Sequence, residues 1–138
     1  METISKEKAK TYSPLTLAFL GDSVYEAMVR RKIVLSGFMP PRKLHSAAVE
    51  KVRAAYQSKA SRLIEPLLTK EETDILRRGR NANPRVPKSA VTRDYRRATG
   101  LETLFGYLTL IGETARAQEL FDVIFSGGAP SIDEDDEL

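Results

Sequence analysis

The chain has 138 residues and 41% apolar content, enough for one core and one domain of ordinary size. It has no cysteine, which excludes a disulfide frame and a thiolate zinc site and fits a reducing, cytoplasmic compartment. Its formal charge of +3 hides a segregation: the last six residues, DEDDEL, hold five acids, so residues 1–132 carry +8.

The first residues, METISKEKAKTYSP, are charged and polar where a signal peptide needs an apolar stretch, and no apolar run is as long as a membrane span. Residues 1–12 are expected as a flexible segment ahead of a domain spanning 13–128, with an acidic, disordered tail over 129–138. Ser13 and Pro14 predict a helix start, with serine as cap and proline at the first helical position, and Ser36-Gly37 predicts its stop near residue 36. Leu15, Leu17, Ala18, Phe19, Leu20, Val24, Tyr25, Ala27, Met28 and Val29 lie all round this helix, so it is expected to be packed on most sides. Asp22 falls inside that run. A carboxylate in a dry interior needs a cation, hydrogen bonds or a metal, and an ordinary buried ion pair is the plain alternative.

Beyond Pro40 and Pro41, apolar residues at helical spacing from Leu44 to Leu67 predict two consecutive helices. Thr69 with Glu72 three residues later has the capping-box spacing, so a short helix is expected to about Arg78, ended by Gly79. NANPRVPKSA, with two prolines and two asparagines, reads as a loop. Helix returns from about Asp94 to Ile111 before Gly112, and a last amphipathic helix over 113–126 ends at Gly127-Gly128. With no strand pattern anywhere, the fold class is all-α.

Two features carry chemistry. Residues 77–97 hold Arg77, Arg78, Arg80, Arg85, Lys88, Arg93, Arg96 and Arg97 against one acid, Asp94. A solvated charged loop would also read this way, but one sign so concentrated is the footprint of a polyanion partner. The second feature is a repeated arrangement, since Glu102 is a lone acid among Leu101, Leu104, Phe105, Tyr107 and Leu108, and glycines stand near both acids: Gly21 beside Asp22, Gly100 and Gly106 around Glu102. If the two helices pack together, two like charges meet and need a proton or cation between them. Magnesium, a hard ion satisfied by one or two carboxylates, waters and phosphate oxygens, suits that site, and beside a basic body it suggests phosphodiester hydrolysis.

At these residues the sequence resembles the ribonuclease III superfamily, through Phe19-Leu20-Gly21-Asp22 and Glu102-Thr103-Leu104-Phe105-Gly106. It looks most like the Mini-ribonuclease III branch, which consists of the catalytic domain alone. LAFLGDSVYE (17–26), RGRNA (78–82), Tyr95-Arg96 and LETLFGYL (101–108) carry that likeness, and it covers roughly residues 14–128. The resemblance implies a homodimeric, ribonuclease III-like helical endonuclease with the helix over about 14–36 at the subunit interface. Asp22 and Glu102 are then catalytic and bind Mg2+, with Mn2+ able to substitute, and products carry 5′-phosphate and 3′-hydroxyl ends. Larger relatives place two more acids at the positions of Ala18 and Thr99, so metal affinity without RNA is expected to be weak. The implied substrate is double-stranded RNA, the paired ends of precursor large-subunit (23S) ribosomal RNA, with a ribosomal-protein helper compatible and no membrane involved.

As in the short branch it resembles, the chain is expected to lack a separate RNA-binding domain, so the basic region is expected to grip the duplex, with Arg78, Arg80, Asn81, Arg85, Lys88 and Arg93 as the candidates. Arg96 and Arg97 could equally orient the active site, and Tyr95 is the tyrosine best placed for RNA contact. Glu26, one turn beyond Asp22, fits a supporting group or a surface salt bridge, and His45, the single histidine, fits a helix surface better than a general base. Two rivals stand beside the nuclease: a non-catalytic RNA-binding or ribosome-associated module on the same fold, and a protein-interaction domain whose acids form plain salt bridges.

Overall fold

The computed structural model describes residues 1–37, 40–82 and 85–126. The described residues form seven α-helices and no strand: α1 Lys6–Lys10, α2 Pro14–Leu35, α3 Pro41–Val52, α4 Ala54–Ile64, α5 Lys70–Arg80, α6 Thr92–Leu110 and α7 Thr114–Ser126, with a 3-10 turn, Glu65–Leu67, after α4. None of these helices is long and apolar enough to cross a membrane.

Local chemistry sets most of the boundaries. Ser13 accepts a hydrogen bond from the Leu15 N–H at 3.2 Å, with Pro14 in the first turn of α2. Between α3 and α4 the backbone of Arg53 is extended, which makes the expected two consecutive helices. At α5 the capping box is complete: the Glu72 N–H donates to Thr69 Oγ1 at 3.1 Å and the Thr69 N–H donates to Glu72 Oε1 at 2.9 Å. Glu72 also takes Arg116 of α7, whose Nε lies 2.9 Å away. Burial opposes its ionisation, yet the bonds from Arg116 and Thr69 hold its carboxyl below the usual range.

The core is built around α6, which packs against α2, α4 and α5, while α7 closes one side against α4 and α6. Leu101, Leu104, Phe105, Tyr107 and Leu108 of α6 are buried with Leu17, Tyr25, Leu120, Phe121 and Ile124. Tyr25 meets Phe105 edge-on at 5.7 Å and Phe121 at 6.0 Å.

Three expectations need correction. Residues 1–12, expected as a flexible segment, are tied to the body of the fold: Ser5 caps α1, Ala9 is fully buried, and the Ile4 N–H donates to the Leu110 carbonyl at 2.9 Å. Gly79 does not end α5, which runs on to Arg80. A side chain there would overlap Thr103 Oγ1, so the glycine serves close packing of α5 on α6. Helix α2 is not covered on most sides either. Leu15, Phe19, Val34 and Leu35 are exposed, Phe19 at 84%, and Asp22 is exposed rather than buried. The acidic tail, 129–138, lies outside the described residues.

Candidate active site

Helices α2 and α6 cross almost backbone to backbone. A Cβ on Gly21 would overlap the Glu102 carbonyl and stand 2.8 Å from the Gly106 nitrogen, while one on Gly106 would overlap the Leu17 carbonyl. Only glycines permit that approach. Asp22 follows Gly21 directly and Glu102 is the residue whose carbonyl touches Gly21, so the crossing sets the two acids side by side in one chain.

Their carboxyl groups lie within hydrogen-bonding reach of each other, and Glu102 is the more enclosed. Burial first, then the Asp22 charge and the Asp22 hydrogen bond, push the Glu102 carboxyl up to about 8, against a smaller lowering by the bond from Gln57. At neutral pH this pair shares a proton or requires a cation. Tyr25 lies close beneath, its hydroxyl made a weaker acid by burial and by Tyr56 and Glu102.

The donor set fits magnesium. Two carboxylates present hard oxygens, the enclosed one is unfavourable as an isolated anion, and a third oxygen stands close by: Gln57 Oε1, buried and without a hydrogen-bond partner. Among the described residues no group of three or more acids or histidines gathers at one point, so the pair is all the carboxylate this site has. Ala18 and Thr99 add none, and the Thr99 hydroxyl donates to the Tyr95 carbonyl at 2.9 Å. Glu26 forms a 2.7 Å ion pair with Arg30 one turn along the same helix. His45 is exposed on α3, beside a cleft of about 270 Å³ lined by Arg30, Ile33 and Leu44.

The basic residues divide by position. Arg80, Arg93 and Arg97 converge with Arg62 of α4, and burial together with these three like charges lowers the Arg97 pKa. Among the described residues, Asp94 is the acid whose charge offsets these arginines at Arg97, so this side of the chain carries a positive field. Arg93 keeps about half of its side chain exposed while its Nε donates to Asp94 Oδ1 at 3.3 Å. Arg85 and Lys88 are exposed, and exposed Asn81 lines a shallow groove with Pro14, Asp74, Arg77 and Arg78. Arg78 is engaged within the fold, where its guanidinium donates to the carbonyls of Lys10 at 3.3 Å and Tyr12 at 3.4 Å and so ties the N-terminal segment to α5. Tyr95 and Arg96 are half-buried on the first turns of α6.

Sequence reasoning missed two residues here, Arg62 and Gln57. Arg62 stands outside the basic run, and only the packing of α4 on α6 brings it in. Gln57 belongs to YQSKAS, whose polar residues the apolar spacing left out of account, although Gln57, Ser58, Lys59 and Ser61 are all buried. Four buried polar residues in six would have been the signal, had their burial been readable.

Comparison with known proteins gives the family. The family model of the ribonuclease III domain matches residues 15–113. The chain is 42% identical to the Mini-ribonuclease 3 of Thermoanaerobacter sp. over 123 residues, covering 88% of this chain and 87% of that one. It is 43% identical to the Mini-ribonuclease 3 of Symbiobacterium thermophilum over 111 residues, covering 80% and 85%. A crystal structure of a Fusobacterium nucleatum protein superposes with a TM-score of 0.77 at 30% identity, covering 84% of this chain and 93% of that one. With two acids joined at a glycine-lined crossing and relatives this similar over most of their length, the chain belongs to the ribonuclease III superfamily, in its Mini-ribonuclease III branch.

Proposed function

We propose that the chain is a magnesium-dependent endoribonuclease that cuts double-stranded RNA in the cytoplasm, as a homodimer, leaving 5′-phosphate and 3′-hydroxyl ends. The observation that carries this reading is the pairing of Asp22 with Glu102 within one chain. The pair stands roughly one and a half turns of α6 from Arg97 and the arginines around it.

Asp22, exposed, is the ligand that faces the substrate side, and Glu102, held from behind by Gln57, is the enclosed one. Asp22 and Glu102 would hold the divalent cation, and Glu102, whose ionisation is opposed by burial and by the Asp22 charge, would be ionised in its presence. When bound, that ion polarises a phosphodiester and makes its own water more acidic. Arg62, Arg80, Arg93 and Arg97 hold the duplex by its phosphates, in keeping with A-form RNA, which is gripped through phosphates and 2′-hydroxyls more than base edges. Arg85, Lys88 and Asn81 extend that grip along the exposed face.

The exposed strip of α2 supports the dimer. Leu15, Phe19, Asp22, Glu26, Arg30 and Val34 follow one another at helical spacing, so the uncovered apolar residues share a face with Asp22. A second copy packed there by a two-fold axis would cover Phe19 and bring two sites together, one for each strand of a duplex. The paired ends of precursor 23S ribosomal RNA are the substrate we assign, with a ribosomal protein as the kind of helper such an RNA would bring.

The test is incubation with a long RNA duplex in magnesium and, separately, in calcium. Fragments with 5′-phosphates in magnesium alone, absent with Asp22→Asn and Glu102→Gln, are expected. Binding without fragments in magnesium would replace this reading with a non-catalytic RNA-binding module.

A further inference from the structure

Gln57 enters α4 through its first turn and is 2% exposed. Its Nε2 donates to the Val52 carbonyl at 2.8 Å and to Glu102 Oε2 at 3.3 Å. The first bond decides which end of the amide is which, because the reversed group would set Oε1 against the Val52 carbonyl, acceptor facing acceptor. Oε1 is therefore a buried acceptor with no donor, in an amide whose other end touches Glu102. Standard bond lengths keep it within ~6 Å of that carboxylate.

A buried acceptor left unsatisfied is unfavourable, and a methionine or leucine would fill the same space without that cost. A donor supplied on binding removes the difficulty. The water around a divalent cation is such a donor, and the two carboxylates that would hold the cation lie beside this amide. At the two positions where larger relatives place further acids, the Thr99 hydroxyl already donates to the Tyr95 carbonyl and Ala18 has nothing to give. A neutral oxygen also adds a ligand-facing group without adding a third like charge beside Glu102.

We propose that Gln57 is a positioning residue of the metal site: Nε2 orients the Glu102 carboxylate, and Oε1 accepts a hydrogen bond from the hydration shell of the cation that Asp22 and Glu102 hold. This rests on the two-carboxylate reading above, and the experiment separates the two.

The full chain is titrated with Mn2+ in the absence of RNA, the free ion being followed by its electron paramagnetic resonance signal, for wild type, Asp22→Asn, Gln57→Met and Gln57→Glu. Gln57→Met is expected to weaken Mn2+ binding on the order of tenfold while its metal-free melting temperature stays the same or rises. Gln57→Glu is expected to bind Mn2+ more tightly than wild type and to melt earlier without metal. Wild-type affinity in Gln57→Met, with binding lost in Asp22→Asn, would overturn the role of Gln57 and leave the carboxylate pair standing. Absence of Mn2+ binding by the wild type at millimolar ion, both alone and with an RNA duplex added, would overturn both. Should Gln57→Met not fold, Gln57→Glu decides: affinity equal to or below wild type overturns the assignment.

Discussion

The main chain of Glu102 occupies the space that a side chain on Gly21 would need, so the aspartate next in sequence and the glutamate side chain are presented together. The position of the acid pair is thus a property of the backbone crossing, set before either side chain chooses a rotamer. Gly106 repeats the device one turn along α6, against the Leu17 carbonyl.

Gly21→Ala should accordingly remove both stability and activity. The added methyl meets backbone, which cannot turn aside as a side chain would, so α2 and α6 must separate and carry Asp22 from Glu102. A cost of about 3 kcal/mol is expected, at the upper end for overpacking. Thermal melting and duplex cleavage check it together: a variant with wild-type melting temperature and cleavage would mean that the crossing is looser than described.

The carboxyl pair predicts a pH dependence of opposite sign to ordinary acid denaturation. Glu102 holds its proton more tightly folded than unfolded, so its contribution to stability is complete below its ordinary value of 4.5 and is lost as pH rises through about 8. Glu102→Gln should therefore raise metal-free stability by on the order of 3 kcal/mol at pH 8.5 and by little at pH 4. Melting curves in chelator at several pH values measure this, and an offset that does not change with pH would remove the basis of the prediction. Magnesium should stabilise the wild type at pH 8.5 and leave Glu102→Gln nearly unmoved.

Two arginines of similar sequence character should behave in contrasting ways. Arg78 bonds the carbonyls of Lys10 and Tyr12, so Arg78→Ala should lower the melting temperature and leave the salt dependence of RNA binding unchanged. The charge of Arg62 acts against that of Arg97, so Arg62→Ala should hold or raise the melting temperature. It should also weaken duplex binding and reduce the slope of log affinity against log salt by about 1, out of a total near −3 to −4 for roughly four phosphate contacts. Binding by each variant across a salt series, at a temperature where both are folded, tests the pair of expectations.

What could be read from the sequence was whatever rests on local chemistry. Ser13-Pro14 and Thr69 with Glu72 announced their helices because a cap is made of neighbours in the chain. Gly79 misled because the same residue marks a helix end or a close approach, and only Thr103, 24 positions on, distinguishes the two. Asp22 and Glu102 were legible as a pair, but not which of them is enclosed. The apolar residues of α2 face the core on one side and solvent on the other, and in the sequence the two sets have the same composition. Helix α1, five residues long, is too short to show a period. Gln57 and Arg62 enter through the packing of α4 on α6, which no spacing along the chain records.

The exposed face of α2 supplies the last prediction. Phe19 is 84% exposed and Leu15 40%, on the same strip as Asp22, whereas the aromatic residues around Tyr25 are enclosed. A lone phenylalanine on a surface needs no explanation, but one aligned with Leu15 and Val34 along a 22-residue helix does. Phe19→Asp should leave the fold intact, since the side chain is largely clear of the core, and shift the chain to a monomer by like-charge repulsion across the two-fold axis. Duplex cleavage should then fall at low protein concentration and recover partly as concentration rises, while Mn2+ binding at the acid pair persists. Sedimentation or light scattering gives the oligomeric state. A Phe19→Asp chain that sediments as the wild type does would show that this strip is not where two copies meet.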